Sequence, residues 1–277
     1  MADSTAAIQI ERLGYWYDAR KIILNDINLK IAENECIAIA GQNGSGKTTL
    51  LKNISGLLRP STGNIFLRGK ETRKMGVAQI AGEIGFVMQE SGRQLFEPTV
   101  YDEVAFALKR KKLPKNEIQS RAEEALDAVG LLDKRNEFPL ALNRADRVKT
   151  VFAAVLAMGA QIIMLDEPLA GQDLRGCRMI MDIIARLNRQ NHTIIMVTHN
   201  ISAAAEYAQR IIVMQDSGVY MDGPPAEIFA RAEELAAARI LPPPITRLSL
   251  ALKKHIPLEK PALTPAALAN MLVSLKH

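Results

Sequence analysis

The sequence predicts an α/β fold with a parallel sheet, and three segments carry that reading. "CIAIAGQNGSGKTTLLKNISGLL", starting at Cys36, runs as an apolar β-branched stretch, a glycine-rich turn and a helix with apolar periodicity. "QIIMLDEP" (161–168) and "TIIMVTH" (193–199) are short apolar runs that end in titratable residues. Runs of that length, flanked by turn residues, read as strands buried on both faces. In an open α/β sheet their C-terminal ends gather along one edge, where ligands bind.

The first segment names the ligand class. Gly41-Gln-Asn43-Gly44-Ser45-Gly46-Lys47-Thr48 fits the G-x-x-x-x-G-K-[ST] pattern, and it falls between strand and helix as that pattern requires. The glycines let the backbone curl with its N–H groups inward, and the helix start, with Thr49, adds positive potential. Lys47 then reaches the β- and γ-phosphates and the Thr48 hydroxyl meets Mg²⁺, so the expected cofactors are ATP and Mg²⁺.

The other two segments supply the chemistry around that phosphate. The strand at 162–165 delivers Asp166, suited to an outer-shell or direct Mg²⁺ contact, and Glu167, suited to polarising an attacking water. His199 ends the third strand on the same edge and is expected to contact the γ-phosphate. An acidic pair and a histidine meeting one phosphate loop argue for hydrolysis rather than storage of nucleotide.

Bulk properties remove several classes. With 277 residues, 48% of them hydrophobic, the chain can form one large domain, or one domain with a smaller appendage. The longest apolar stretch, 151–165, is broken by Gly159 and Gln161 and falls short of the ~20 residues that cross a bilayer, so no span is expected. "MADSTAAIQIERL" has an early acid and no long apolar run, so no signal peptide is expected and the cytosol is the predicted compartment. Cys36 and Cys177 are too few for a disulfide framework and read as packing residues. The net charge of +5 is densest in "LKRKKLPK" (108–115), at the end of a predicted helix where cations suit the carbonyl dipoles. That cluster reads as a solvated helix end, with a contact to anionic lipid or an acidic partner as the alternative. It has no interleaved aromatics, so no nucleic-acid partner is expected.

With Lys47, Asp166, Glu167 and His199 in this order, the chain resembles the nucleotide-binding subunit of ABC transporters over about residues 8 to 230. The resemblance implies a P-loop NTPase (RecA-like) core, an antiparallel β subdomain and an inserted helical subdomain. It implies that Tyr17 stacks on adenine; Tyr15 is the weaker candidate, and either ring could be core. Gln89, ending "IGFVMQ", matches the glutamine that touches Mg²⁺ or water and senses membrane subunits. "LAGQD" (169–173) matches the D-loop that crosses between two ATPase subunits, with Asp173 in place and Gln172 where the family generally has leucine.

Between these elements the pattern turns helical. Thr99-x-x-Asp102 is a capping box opening a helix whose Val100, Val104 and Leu108 share a face. A second helix is expected from about Lys115 to Val129, with Ile118, Ala122, Leu126 and Val129 on one side and Gly130 as its cap. "QESGRQLFEPTVYDEVAFAL" (89–108) resembles more narrowly the energy-coupling factor importers of cations and vitamins. Beyond Pro242 to Pro244, Ile245, Leu248 and Leu252 recur on one helical face and another helix starts near Thr264. The expected division is a nucleotide-binding domain at 1–235, with its helical subdomain at about 90–158, and a C-terminal helical extension at 236–277. In the resembled family that extension helps ATPase subunits associate.

One element departs from the family pattern. Counting back from "VLAM" (155–158), Leu142-Asn143-Arg144-Ala145-Asp146 aligns with the LSGGQ signature, and only the leucine is kept. Asn143 is a good N-cap and Asp146 suits the first helical turn, so the helix start is expected to survive. Arg144 and Ala145 remove the glycines that let the backbone press on a γ-phosphate. Arg144 adds a charge that can substitute, and Asp146 a charge that can oppose it. In the family the signature serves the partner's ATP, which implies a second ATPase subunit. A different chain bearing LSGGQ is preferred, and a homodimer relying on Arg144 is the alternative. The resemblance further implies membrane coupling and substrate-binding subunits and a peripheral place on the cytoplasmic face of the cell membrane. The rival reading is a soluble ABC-type ATPase acting on ribosomes or DNA.

Overall fold

A computed structural model describes residues 6–18, 21–253, 255–258 and 260–274. The N-terminal stretch read for a signal peptide begins with residues outside these, 1–5. Two sheets organise the chain. β1 (Ala6–Trp16), β2 (Ile22–Ala32), β4 (Thr62–Leu67) and the short β5 (Lys70–Glu71) form an antiparallel sheet in the order β2-β1-β4-β5. β3 (Cys36–Gly41), β6 (Ile84–Val87), β7 (Ile162–Asp166), β8 (Thr193–Val197), β9 (Arg210–Gln215) and β10 (Gly218–Gly223) form the second sheet, ordered β10-β9-β3-β8-β7-β6. All of its pairings are parallel except β10 with β9. The sheets meet where the Asn25 N–H donates to the Ser217 carbonyl at 2.8 Å.

The parallel strands are apolar throughout because both faces are covered. Ile37, Ile39, Met164, Ile195 and Val197 pack toward the antiparallel sheet and helix α1 (Lys47–Ile54), joining Ile8, Leu24, Ile27, Leu50 and Ile54. The alternate residues Ala38, Ala40, Ile163, Leu165 and Met196 share the opposite core with helix residues such as Phe152, Ile180 and Ala204. This period of two sorts the apolar residues of the central parallel strands between two cores, which fixes strand register.

Helix α2 (Val77–Glu83), which the sequence reading left out, leads into edge strand β6. The connection from β6 to β7 then holds three helices: α3 (Val100–Arg110), α4 (Lys115–Ala128) and α5 (Arg144–Ala157). Val104, Leu108, Leu126 and Phe152 are fully buried among them. The Thr99 hydroxyl oxygen accepts the Asp102 N–H at 3.0 Å and caps α3 as expected. The Asp102 carboxylate, however, takes the Thr99 hydroxyl and the Lys109 ammonium, both at 2.7 Å, so the box closes through side chains. α4 ends as expected at Gly130, where φ is +67° and the Leu131 N–H reaches back to the Leu126 carbonyl at 2.9 Å.

α6 (Leu174–Arg189) and α7 (Ile201–Tyr207) follow β7 and β8 and complete the crossovers. α8 (Pro225–Ala230) and α9 (Ala232–Ala237) lead to α10 (Pro244–Leu252) and α11 (Pro265–Ser274). The start of α11 near Thr264 is as read from the sequence. The buried face of α10 is not: Leu248 is 50% exposed, while Thr246 and Ser249 are fully buried. The cause is that the Ser249 hydroxyl accepts the Ala262 N–H at 2.9 Å, so the polar side chain is satisfied inside. Ile245 and Leu252 do pack inward, against Leu258, Ala262 and Leu268. Cys36 is buried, which pushes its thiol up to about 12, and Cys177 is only partly covered. Among the described residues no helix is long and apolar enough to cross a membrane.

Candidate active site

The phosphate-loop sequence folds as a tight turn between β3 and α1, and its glycines are required by close approaches. A Cβ on Gly41 would fall 2.3 Å from the Met214 carbonyl oxygen. One on Gly46, whose φ is +100°, would fall 2.7 Å from the Ile23 carbonyl oxygen. The Lys47 ammonium is buried and donates to the Gly41 and Gln42 carbonyls at 2.8 and 2.7 Å. Burial lowers its pKa, against the attraction of Glu167 and Asp166.

β7 brings the acidic pair to this loop. Asp166 is its last residue, and the Thr48 hydroxyl donates to its Oδ1 at 3.2 Å. Glu167 follows with φ at +53°, a left-handed conformation that costs a side-chain-bearing residue and is held by its N–H bond to the Val197 carbonyl at 2.9 Å. This turn swings the carboxylate toward His199, whose backbone N–H donates to Oε2 at 3.2 Å and whose Nε2 lies 3.3 Å from Oε1. Burial raises the pKa of both acids above the ordinary carboxylate range.

These groups line one cavity of about 300 Å³. Tyr17, Asn43, Gly44, Gly46, Lys47, Thr48, Thr49, Gln89, Asp166, Glu167 and His199 all border it, while Gly41 and Ser45 stand behind in the loop. Tyr17 is 62% exposed and Tyr15 only 8%, with the rings edge to face at 5.0 Å, so Tyr17 is the available ring and Tyr15 is core. Lys21, Ile23 and Val197 also line the cavity and were missed. Lys21 and Ile23 come from the start of the strand after Tyr17, and no motif marks them.

The donor set suits a magnesium nucleotide. Ser45 Oγ is buried without a hydrogen-bond partner among the described residues and Glu167 Oε1 has only the 3.3 Å approach of His199 Nε2, so both gain from a polar ligand. Among the described residues no group of three His, Cys, Asp or Glu side chains is placed to hold a metal ion by itself. Thr48, Asp166 and Gln89 could offer oxygen donors to Mg²⁺, which takes its remaining ligands from phosphate and water.

The family model described as ABC transporter matches residues 24–170, more than half the chain, and contains the phosphate loop and the acidic pair. The chain belongs to the ABC transporter family. An energy-coupling factor transporter ATP-binding protein from Methanocaldococcus jannaschii is 34% identical over 256 residues, covering 91% of this chain and 92% of that protein. A Methanosarcina mazei relative is 39% identical over 253 residues, and the chain spans only 43% of its length. Among solved structures, CbiO1 of Clostridium perfringens, described as part of the ABC transporter complex CbiONQ, superposes with a TM-score of 0.77. It is 33% identical, and the match covers 85% of this chain and 95% of that one.

The segments that the sequence reading aligned with the signature and the D-loop lie apart from the nucleotide cavity. Asn143, Arg144, Ala145, Asp146 and Asp173 line a second cavity of about 630 Å³. Asn143 caps α5 by accepting the Asp146 N–H at 2.9 Å, so the helix start survives without the signature glycines. Asp173 caps α6 through the Gly176 N–H at 2.6 Å. Arg144 lies on Gly171: a Cβ there would meet its Nη1 at 2.3 Å. Asp146 does not oppose Arg144 as expected. It is buried and bound by the Lys134 and Lys149 ammoniums at 2.7 and 3.1 Å, which absorb its charge internally.

Proposed function

We propose that this chain is the ATP-hydrolysing subunit of an energy-coupling-factor-type ABC importer for a metal cation or a vitamin. The observation that carries the reading is the meeting of Lys47, Thr48, Gln89, Asp166, Glu167, His199 and Tyr17 around one cavity at the edge of the parallel sheet. Tyr17 stacks on the adenine and the loop N–H groups with Lys47 hold the phosphates. Thr48, Asp166 and Gln89 would hold Mg²⁺, which would supply charge neutralisation at the phosphates. Glu167, its proton affinity raised by burial, polarises a water for attack on the γ-phosphorus; the bond to the β-phosphate oxygen breaks and leaves ADP and inorganic phosphate. His199 holds Glu167 in place and contacts the γ-phosphate.

The same reading includes the partners. A second ATPase subunit covers the cavity, and the signature turn of each chain faces the nucleotide of the other. A related ATP-binding cassette solved as a dimer with ADP and phosphate, 27% identical with a TM-score of 0.69, supports that arrangement. Because Arg144 and Ala145 stand where two glycines would, the preferred partner is a different chain with an intact LSGGQ. A membrane subunit docks a short helix in the apolar groove of about 290 Å³ lined by Leu57, Val77, Phe86, Met88 and Phe106. This places the chain peripherally on the cytoplasmic face of the membrane, with the cargo chosen by other subunits.

Phosphate release from ATP tests the reading. The purified chain alone is expected to be slow, and an LSGGQ-bearing partner that co-purifies with membrane proteins is expected to activate it. Rapid release by the chain alone, lost on Arg144→Ala, would establish a homodimer instead. Co-purification with ribosomes would overturn the transporter assignment.

A further inference from the structure

The stretch Gln94-Leu95-Phe96 does not touch the nucleotide cavity, yet each residue is specifically engaged. Leu95 is buried and Phe96 sets its ring edge-on to Phe106, centroids 4.8 Å apart. The Glu103 carboxylate of α3 accepts the N–H groups of Phe96 and Glu97 at 2.8 and 2.9 Å and holds the segment from outside. Gln94 faces the other way. Its Oε1 accepts the Met88 N–H at 2.8 Å and its Nε2 donates to the Phe86 carbonyl at 3.0 Å. Only this orientation of the amide matches donor to acceptor at both ends.

The two backbone groups flank Val87, where β6, the edge strand of its sheet, ends. In an extended chain the C=O of one residue and the N–H two residues on point the same way, so a single primary amide pairs both as a neighbouring strand would. The bridge pins the backbone through Met88, and Gln89 is the next residue. Gln94 borders the apolar groove together with Phe86 and Met88, whereas Gln89 borders the nucleotide cavity. One short turn therefore has a side chain in each space, joined by two hydrogen bonds.

We propose that Gln94 is a positioning residue: its amide bridge to the end of β6 sets where Gln89 stands at the nucleotide cavity. The proposal rests on the nucleotide reading of the cavity. Gln94→Leu keeps the volume and removes both bonds. Gln94→Glu keeps the length, but an ionised carboxylate turns an oxygen on the Phe86 carbonyl and only the protonated acid restores the donor. Among the described residues, the charged groups around it include Glu103, which faces the same groove, Glu90, paired with Arg93 on the turn, and Arg147 of α5, which lies beside Gly92.

The test uses the full chain, with the LSGGQ-bearing partner where turnover needs it, and Mg²⁺ with ATP as the probe. Amide hydrogen exchange is read at residues 86–90 and at the phosphate loop, 41–49, alongside phosphate release. Nucleotide is expected to slow exchange in both segments of the wild type. In Gln94→Leu the loop stays protected and 86–90 does not, and kcat falls about tenfold while KM stays within about twofold. Gln94→Glu is expected to match Gln94→Leu near pH 8 and to approach the wild type near pH 6, as its carboxyl gains a proton in this partly desolvated position. Nucleotide protection of 86–90 in Gln94→Leu equal to the wild type overturns the proposal, as does a Gln94→Glu variant that does not recover in acid. If Gln94→Leu does not fold, the pH response of Gln94→Glu decides. Absence of nucleotide protection at the wild-type phosphate loop refutes the nucleotide reading itself, a result separate from failure at 86–90 alone.

Discussion

The Glu167 carboxylate stands 3.3 Å from His199 Nε2 and accepts the His199 backbone N–H at 3.2 Å, so one residue of β7's end is oriented by one of β8's. Parallel pairing of these strands fixes that meeting: Asp166 and Val197 are register partners, and each chain turns just beyond them. If Glu167 polarises the attacking water, Glu167→Gln keeps the shape and removes the base. Phosphate release is expected to fall roughly 10²- to 10⁴-fold. Equilibrium binding of ATP, measured separately, is expected to stay close to wild type.

The same substitution is expected to stabilise the nucleotide-free protein. Burial raises the Glu167 pKa above its ordinary value of 4.5, so the folded state keeps this proton to a higher pH than the unfolded state does. Between those two values the folded state binds more protons, and stability therefore falls as pH rises. Glu167→Gln has no such loss. Urea midpoints of variant and wild type should coincide below the ordinary carboxylate range and separate in the variant's favour as pH approaches neutrality.

Tyr17 and Tyr15 should part cleanly by assay. Tyr17→Ala removes an exposed ring at the cavity, so its thermal midpoint is expected to hold while ATP binding weakens by about 1 to 3 kcal/mol, the usual worth of base stacking. Tyr15→Ala empties a core position and is expected to cost about 3 kcal/mol of stability, read by urea unfolding.

Asp146 makes the opposite pH prediction to Glu167. Burial pushes its carboxyl up, but hydrogen bonds from Lys134 and Lys149 outweigh burial and hold it below the ordinary carboxylate range. Its stabilisation is complete above the ordinary value of 3.8 and is lost as pH falls through the lowered one. Asp146→Ala strands the buried Lys149 and is expected to cost about 3 kcal/mol at neutral pH. The cost should shrink as the wild type is acidified.

Much of this was legible in the sequence, for local reasons. The phosphate loop, the strand end at Asp166 and the Asn143 cap each depend on a few consecutive residues, which periodicity and turn chemistry read; the strand expected to end at His199 stops at Val197, with His199 two residues beyond. What escaped depends on contacts between distant segments. The exposure of Leu248 and the burial of Ser249 on α10 escaped because nothing local reveals that Ser249 meets the Ala262 N–H, although Ile245 and Leu252 do pack inward. The Lys134 partner of Asp146 and the place of Lys21 at the cavity likewise come from tertiary packing, whereas Lys149 stands three residues after Asp146 on the same helix, a spacing the sequence does carry.

The contact between Arg144 and Gly171 is of that second kind, and it ties both departures from the family pattern to one place. The guanidinium lies against the residue that precedes Gln172 and, with Gln172 and Asp173, borders one cavity. Gly171 has φ at +67°, so Gly171→Ala carries a backbone cost of roughly 1 to 2 kcal/mol as well as the collision. Only the collision depends on Arg144. In a double-mutant cycle read by urea unfolding, Gly171→Ala is expected to cost measurably less when combined with Arg144→Ala, with a coupling of about 0.5 to 3 kcal/mol. A coupling of zero would show that the side chain swings free of Gly171 in solution, which leaves it unrestrained to reach a partner subunit.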